Sequence, residues 1–273
     1  MKIKVLVENT AISKDFKSKH GLSVYLETAK HKILFDLGQD GLFVKNAEKM
    51  GVDISSVDTV VISHGHMDHG GGLKDFLRVN KTAKVYIRKC AFDNHFIKVL
   101  GLPINVGLDN KLKSNNQIIF TDELVAIDEE LTLFSNVKKD GFDTKSNGVL
   151  YAKSNGVLVQ DDFSHEQNMI VKEDGKTLLL SGCSHAGIVN ILSKAEEIVG
   201  CKIDTIIGGF HLYNPPTKKY ESPELIDTLS TALNEKHGKF YTCHCTGAKA
   251  FEQMKRTLGD RLCSLSAGAE IEL

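Results

Sequence analysis

Apolar residues fall along this chain in short runs separated by turn residues, and the period changes from run to run. Residues 1–7 alternate, as do 22–27 and 32–37, and each predicts a strand. Thr28 to His31 is short enough to make the last two a hairpin. Gly41 to Met50 places Leu42, Val44, Ala47 and Met50 at helical spacing, and Gly51 stops it. A strand over 57–62, a helix over 73–79 and a strand over 85–87 follow. In the second half, strands at 169–171 and 177–180 flank a Glu173–Lys176 turn. A helix from Ala186 to Val199 keeps Ile188, Ile191, Leu192 and Ala195 on one face. Then come a strand at 203–207, a helix opened by Ser222-Pro223, a strand at 240–242, a helix at 248–258 and short strands over 261–273. Repeated strand–helix alternation marks the α/β class.

Between about 90 and 162 the pattern degrades. Phe92, His95, Phe96, Val99 and Leu100 suggest a short helix, and 105–116 reads as loop. Ile118–Phe120 and Leu131–Phe134 read as strands. The hexamer KSNGVL occurs at 145–150 and again at 153–158. Two Asn-Gly turns, each leading into a short strand, account for it better than a solenoid repeat does. The expected organisation is one domain over 1–273 with a loop or flap excursion at about 90–162.

Composition narrows the class without choosing a function. The chain has 273 residues, 41% of them apolar and 25% charged, with a net charge of −1. A near-zero balance points away from nucleic acid and from anionic membrane surfaces. No apolar run approaches the length of a membrane span, and the start lacks a signal-peptide core. The six cysteines follow no framework spacing, so reduced thiols and a cytoplasmic location are expected.

The chemistry is concentrated at Ser63–Gly72, S-H-G-H-M-D-H-G-G-G. Imidazole and carboxylate are ligands shared by zinc, iron and manganese. His64 and His66, two apart in a turn, can address one centre, and Asp68 and His69 a second. Gly65 and Gly70–Gly72 let the backbone fold tightly there. Three further apolar strands end in histidine: His185 after Ser181-Gly182-Cys183, His211 after Gly208-Gly209-Phe210, and His244 between Cys243 and Cys245. Parallel strands would bring these ends to one edge of the sheet. Asp36 ends another strand, where it can orient a ligand histidine or cap a turn. His95 and His165 stand alone in sequence.

H-x-H-x-D-H after a strand resembles the signature of the metallo-β-lactamase superfamily. The stretches HGLSVYLE (20–27), ILFDLGQ (33–39), SHGHMDHGGGL (63–73), SGCSHAGIVNIL (181–192), IIGGFHL (206–212) and CHCTG (243–247) resemble the branch named for archaeal dihydropterin and β-ribofuranosylaminobenzene 5'-phosphate synthases. Many members of that branch are described only as metal-dependent hydrolases. The resemblance implies a four-layer αββα sandwich of two mixed sheets with outer helices. It also implies one or two divalent ions, zinc first, with iron or manganese as alternatives.

On that template His64, His66 and His185 hold the first metal, with His165 as the rival third ligand. Asp68, His69 and His211 hold the second. His244 is an extra ligand or a proton donor, and Asp68 also orients the attacking water. Cys183 stands where many relatives carry a bridging aspartate. Cys183, Asp36 and His20 are expected beside the ligands or as a bridge. The implied activity is hydrolysis of a phosphorylated or acyl small molecule by a metal-activated water. The alternatives are a phosphoribosyl-type synthase using the metal as Lewis acid, and an iron-binding redox or sensor protein. A small-molecule substrate is expected, without nucleic acid or membrane, and self-association is left open.

Overall fold

The computed structural model describes residues 1–142, 144–154 and 156–273. Strand Lys2–Val7 forms because its sides face different surroundings. Ile3 and Val5 pack between two sheets, while Leu6 and Val7 meet the helices outside. The first sheet runs Glu270–Glu272, Lys2–Val7, Ser23–Glu27, Lys32–Phe35, Thr59–Val61, Lys84–Arg88 and Ile118–Thr121. The second runs Leu262–Ser264, Lys239–Thr242, Thr205–Gly208, Lys176–Leu180, Gln167–Glu173, Leu131–Ser135 and Leu124–Ala126.

Both sheets are mixed. Lys32–Phe35 through Ile118–Thr121 are parallel neighbours in the first, as are Lys176–Leu180 through Leu262–Ser264 in the second. Helices Leu42–Lys49 and Leu73–Val79 cover the outer face of the first sheet through Phe43, Ala47, Leu73 and Phe76. Helices Ile188–Val199, Pro223–Asn234 and Ala248–Leu258 cover the second through Ile191, Leu192, Leu229 and Met254. The result is the four-layer αββα sandwich that the sequence resemblance implied. Among the described residues no helix is long and apolar enough to cross a membrane.

The helix expected around Phe92–Leu100 is absent. A short 3₁₀ turn, Lys89–Phe92, leads into a hairpin of strands His95–Val99 and Leu102–Asn105. Leu100 and Gly101, with φ of 51° and 82°, form a two-residue turn of the kind that matches strand twist and that a helix cannot contain. Strands Leu150–Ser154 and Val157–Gln160 add to it, giving a separate four-stranded sheet above the strand ends. The first KSNGVL copy is a 3₁₀ turn, Lys145–Val149, entering a strand. In the second copy Asn155 lies outside the described residues.

Candidate metal centre

The parallel strands place their carboxyl ends together, so the loops after Leu180, Gly208 and Thr242 face the loop after Val61 across the two sheets. The buried Gln167 side chain ties the halves at this edge. Its Nε2 donates to the carbonyls of Ile62 and Tyr86 at 2.8 and 3.0 Å, and its backbone N–H donates to Ser63 O at 2.7 Å.

Four of the candidate ligand rings, those of His64, His69, His185 and His244, are held by fixed partners. Asp36, at φ 61°, is fully buried. Its Oδ2 accepts from His69 Nδ1 at 2.6 Å and from the Ser63 hydroxyl at 2.7 Å. Because Ser63 donates its proton to Asp36, its oxygen accepts from His64 Nδ1 at 2.8 Å. One carboxylate therefore fixes two imidazoles and leaves His64 Nε2 without a proton.

His185 and His244 are each clamped by an asparagine. The Asn147 amide donates to His185 O at 2.9 Å, and its Oδ1 accepts from His185 Nδ1 at 2.8 Å. Asn9 does the same to His244 O and Nδ1, both at 3.0 Å. In both rings the proton is on Nδ1, and Nε2 points inward. Glu166 accepts from the backbone N–H of His185 and Ala186 at 2.6 and 3.0 Å. Glu8 accepts from the N–H of His244 at 2.8 Å.

Among the described residues the buried Nε2 atoms of His64, His66 and His185, and both ring nitrogens of His211, have no hydrogen-bond partner. Buried imidazole nitrogens are rarely left so, and neutral imidazole of this tautomer is a metal donor. Burial and the neighbouring histidines hold His64 and His185 well below the ordinary histidine range, and burial with His165 and His95 does the same to His66. The donor set therefore fits a divalent cation.

Cys183 is the hub of the centre. It forms compact groups of potential donor atoms, all within 4.8 Å of one another, with His64 and His185, with His69 and His244, and with His211 and Cys245. His66 lies against this group, its ring centroid 4.6 Å from that of His64 and 5.2 Å from that of His185. Asp68 Oδ2 meets His244 Nε2 at 3.0 Å, His20 Nε2 at 3.3 Å and His69 Nε2 at 3.7 Å. Burial pushes the Asp68 carboxyl up, but His69, His20 and His244 outweigh it and hold the group well below the usual range. Burial likewise works against His69, while Asp36 and Asp68 bring it up to about 9.

The structure brings together His64, His66, Asp68, His69, His185, His211 and His244, with Asp36, His20 and Cys183 beside them. Two expectations change. His244, rather than His211, adjoins Asp68 and His69. His211 turns instead to the thiols, its backbone N–H bonded to Cys245 Sγ at 3.3 Å and its ring donors grouped with Cys183 and Cys245. His165, the rival third ligand, groups with His66, His95 and Asp161, their donor atoms within 4.8 Å of one another, and both of its ring nitrogens have partners. Its Nδ1 accepts from the Gly65 N–H at 2.9 Å, and its Nε2 faces Asp161 Oδ2 at 3.2 Å. His95 is the other partner of Asp161, at 3.0 Å. Asn9, Asn147, Asp161 and Glu166 escaped the sequence reading. Asn147 carried one faint signal, its place in the repeated hexamer.

A cleft of about 420 Å³ opens on these donors, walled by Met67, Ile97, Val106, Leu150, Tyr213 and Pro216. Among the described residues no lysine or arginine lines it.

The family described as the metallo-beta-lactamase superfamily matches residues 19–95. A curated protein of Methanocaldococcus jannaschii, "7,8-dihydropterin-6-methyl-4-(beta-D-ribofuranosyl)-aminobenzene-5'-phosphate synthase", is 28% identical over 100% of this chain and 96% of its own. The crystal structure of Tm1679, "a metal-dependent hydrolase of the beta-lactamase superfamily", is 31% identical with a TM-score of 0.85, covering 100% of this chain and 99% of that one. Zn(2+)-bound PqqB from Methylobacterium extorquens shares the fold at 12% identity, with a TM-score of 0.57 and complete coverage of both chains.

Proposed function

This chain belongs to the metallo-β-lactamase superfamily, and from that premise we propose that it is a zinc-dependent hydrolase of an uncharged acyl compound such as a lactone, thioester or amide. The observation that carries this reading is the meeting of unpartnered imidazole nitrogens with a cleft of apolar walls that lacks lysine and arginine. A substrate phosphate away from the reacting centre calls for such cations.

His64, His66 and His185 would hold one divalent cation and Asp68, His69 and His244 a second, and such ions, when bound, would supply acidified water and polarise a scissile carbonyl. The protein does the rest. Asp68, kept ionised by His20, His69 and His244, accepts a hydrogen bond from the attacking water and orients it. His244, fixed by Asn9 through Nδ1, turns Nε2 to Asp68 and would complete the second donor set. Apolar walls bind the acyl portion and exclude bulk water. The donor set of imidazole, carboxylate and thiol suits zinc better than magnesium or calcium.

The synthase reading draws on the name of the archaeal relative. A ribosyl phosphate away from the metals would meet no lysine or arginine on this cleft among the described residues, which favours the hydrolase reading. The test is a panel of lactones, thioesters and amides beside phosphomonoesters and phosphodiesters, assayed on zinc-loaded and chelator-treated protein. Turnover of acyl compounds, lost with the metal and regained with zinc, is expected. Turnover confined to the phosphate esters would sink the proposal.

A further inference from the structure

Three buried side chains lie beside the histidine–aspartate groups and are not used by the chemistry above. Cys183 and Cys245 are each 3% exposed and His211 is 7% exposed. Their sulfur and nitrogen donors are within 4.8 Å of one another. Neither ring nitrogen of His211 has a partner, although the ring is buried against His185, with centroids 4.3 Å apart. We propose that Cys183, His211 and Cys245 form a thiolate-bearing cation position of their own, taking a thiophilic ion of the zinc type, with Cys183 shared with the adjoining histidine–aspartate groups.

The surrounding backbone is arranged for this use. The N–H of His211 donates to Cys245 Sγ at 3.3 Å, an interaction that favours a sulfur anion. A Cβ at Gly209 would collide with that same sulfur, so only glycine lets the strand end approach it. Coordination would release the thiol protons of Cys183 and Cys245 to solvent. Two sulfurs and one imidazole leave the fourth position of a tetrahedral ion open. Cys243, two residues from Cys245, packs instead into the core between the sheets.

Soft sulfur ligands select zinc or cobalt over manganese and magnesium, so the position also biases the centre as a whole towards thiophilic metals. Two measurements on the full chain test it. Zinc-edge X-ray absorption of the fully zinc-loaded wild type should reveal sulfur scatterers at about 2.3 Å beside the lighter ligands. A first shell of nitrogen and oxygen alone overturns the proposal.

Cobalt-substituted protein should show a near-ultraviolet thiolate-to-cobalt charge-transfer band. Cys245→Ala should lower that band by about half, one of two sulfur ligands having been removed, while Cys243→Ala leaves it in place. A band unchanged in Cys245→Ala, with circular dichroism confirming a folded chain, overturns the proposal equally. Hydrolysis assays bear only on the proposed function, so the two readings fail separately.

Discussion

The backbone N–H of Gly65 donates to Nδ1 of His165 across 2.9 Å. The bond joins the loop carrying His64 and His66 to the strand entry of the second sheet. His165 is held from behind by Asp161, which also accepts from His95 Nδ1 at 3.0 Å. Side chains that orient a ligand loop in this way typically change metal affinity by about 10–100-fold when removed. His165→Ala should therefore weaken zinc binding by about that factor while leaving the number of bound ions unchanged. Chelator competition and elemental analysis together check it. Loss of a whole equivalent would make His165 a ligand.

Asn147 should act on the metal through His185 alone. Its Oδ1 accepts from Nδ1 of that ring, which leaves Nε2 as the only free donor. In Asn147→Ala the ring can rotate or take the other tautomer, and zinc affinity should fall by about 10–100-fold. Asn147→Asp keeps the acceptor and should recover most of it. Calorimetric titration with zinc measures both variants, and equal weakening in the two would exclude orientation through Oδ1.

The two sheets are joined at the site by Gln167. Gln167→Ala removes the side-chain partner of the buried Ile62 carbonyl and of the Thr121 hydroxyl, while the Tyr86 carbonyl keeps the Ile62 N–H. Leaving such groups unpaired costs about 1–3 kcal/mol. Urea unfolding should show the midpoint falling accordingly with the slope unchanged. An unmoved midpoint would mean that water replaces the side chain at no cost.

Stability should also carry a pH signature far from the metal centre. His31 Nδ1 meets Asp58 at 3.0 Å and Nε2 meets Asp128 at 2.5 Å. Burial lowers this histidine, but the two carboxylates outweigh it and raise it above its ordinary 6.5. A raised folded value means that the unfolded chain releases the proton first. The stabilisation is fully present below about pH 6.5 and is lost as pH rises through the folded value. Thermal midpoints measured from pH 6 to 9 should fall more steeply in the wild type than in His31→Gln. Parallel curves would remove His31 from the account.

Much of this was legible because it is local. Ser63–Gly72 carries four donor side chains in six positions after an apolar strand, and period alone located most strands and helices around it. Histidines at the ends of Lys176–Leu180, Thr205–Gly208 and Lys239–Thr242 could be grouped because parallel neighbours align their ends. Residues 90–105 misled because Phe92, Phe96, Val99 and Leu100 fit helical spacing, whereas the Leu100–Gly101 turn closes a hairpin.

The sequence by itself determined the layer order, the family and the strand-end histidines and aspartate that were expected to meet. Only the tertiary structure decided how they group. His211 and His244 look alike in sequence, each following a strand end beside glycine. The separate contacts of Cys245 and Asn9 send one ring to the thiols and the other to Asp68. Asn9 and His244 are 235 positions apart, and Asn147 and His185 are 38 apart. No periodicity in a chain records such pairings, because they arise where two sheets and their loops converge and a buried polar atom must find a partner.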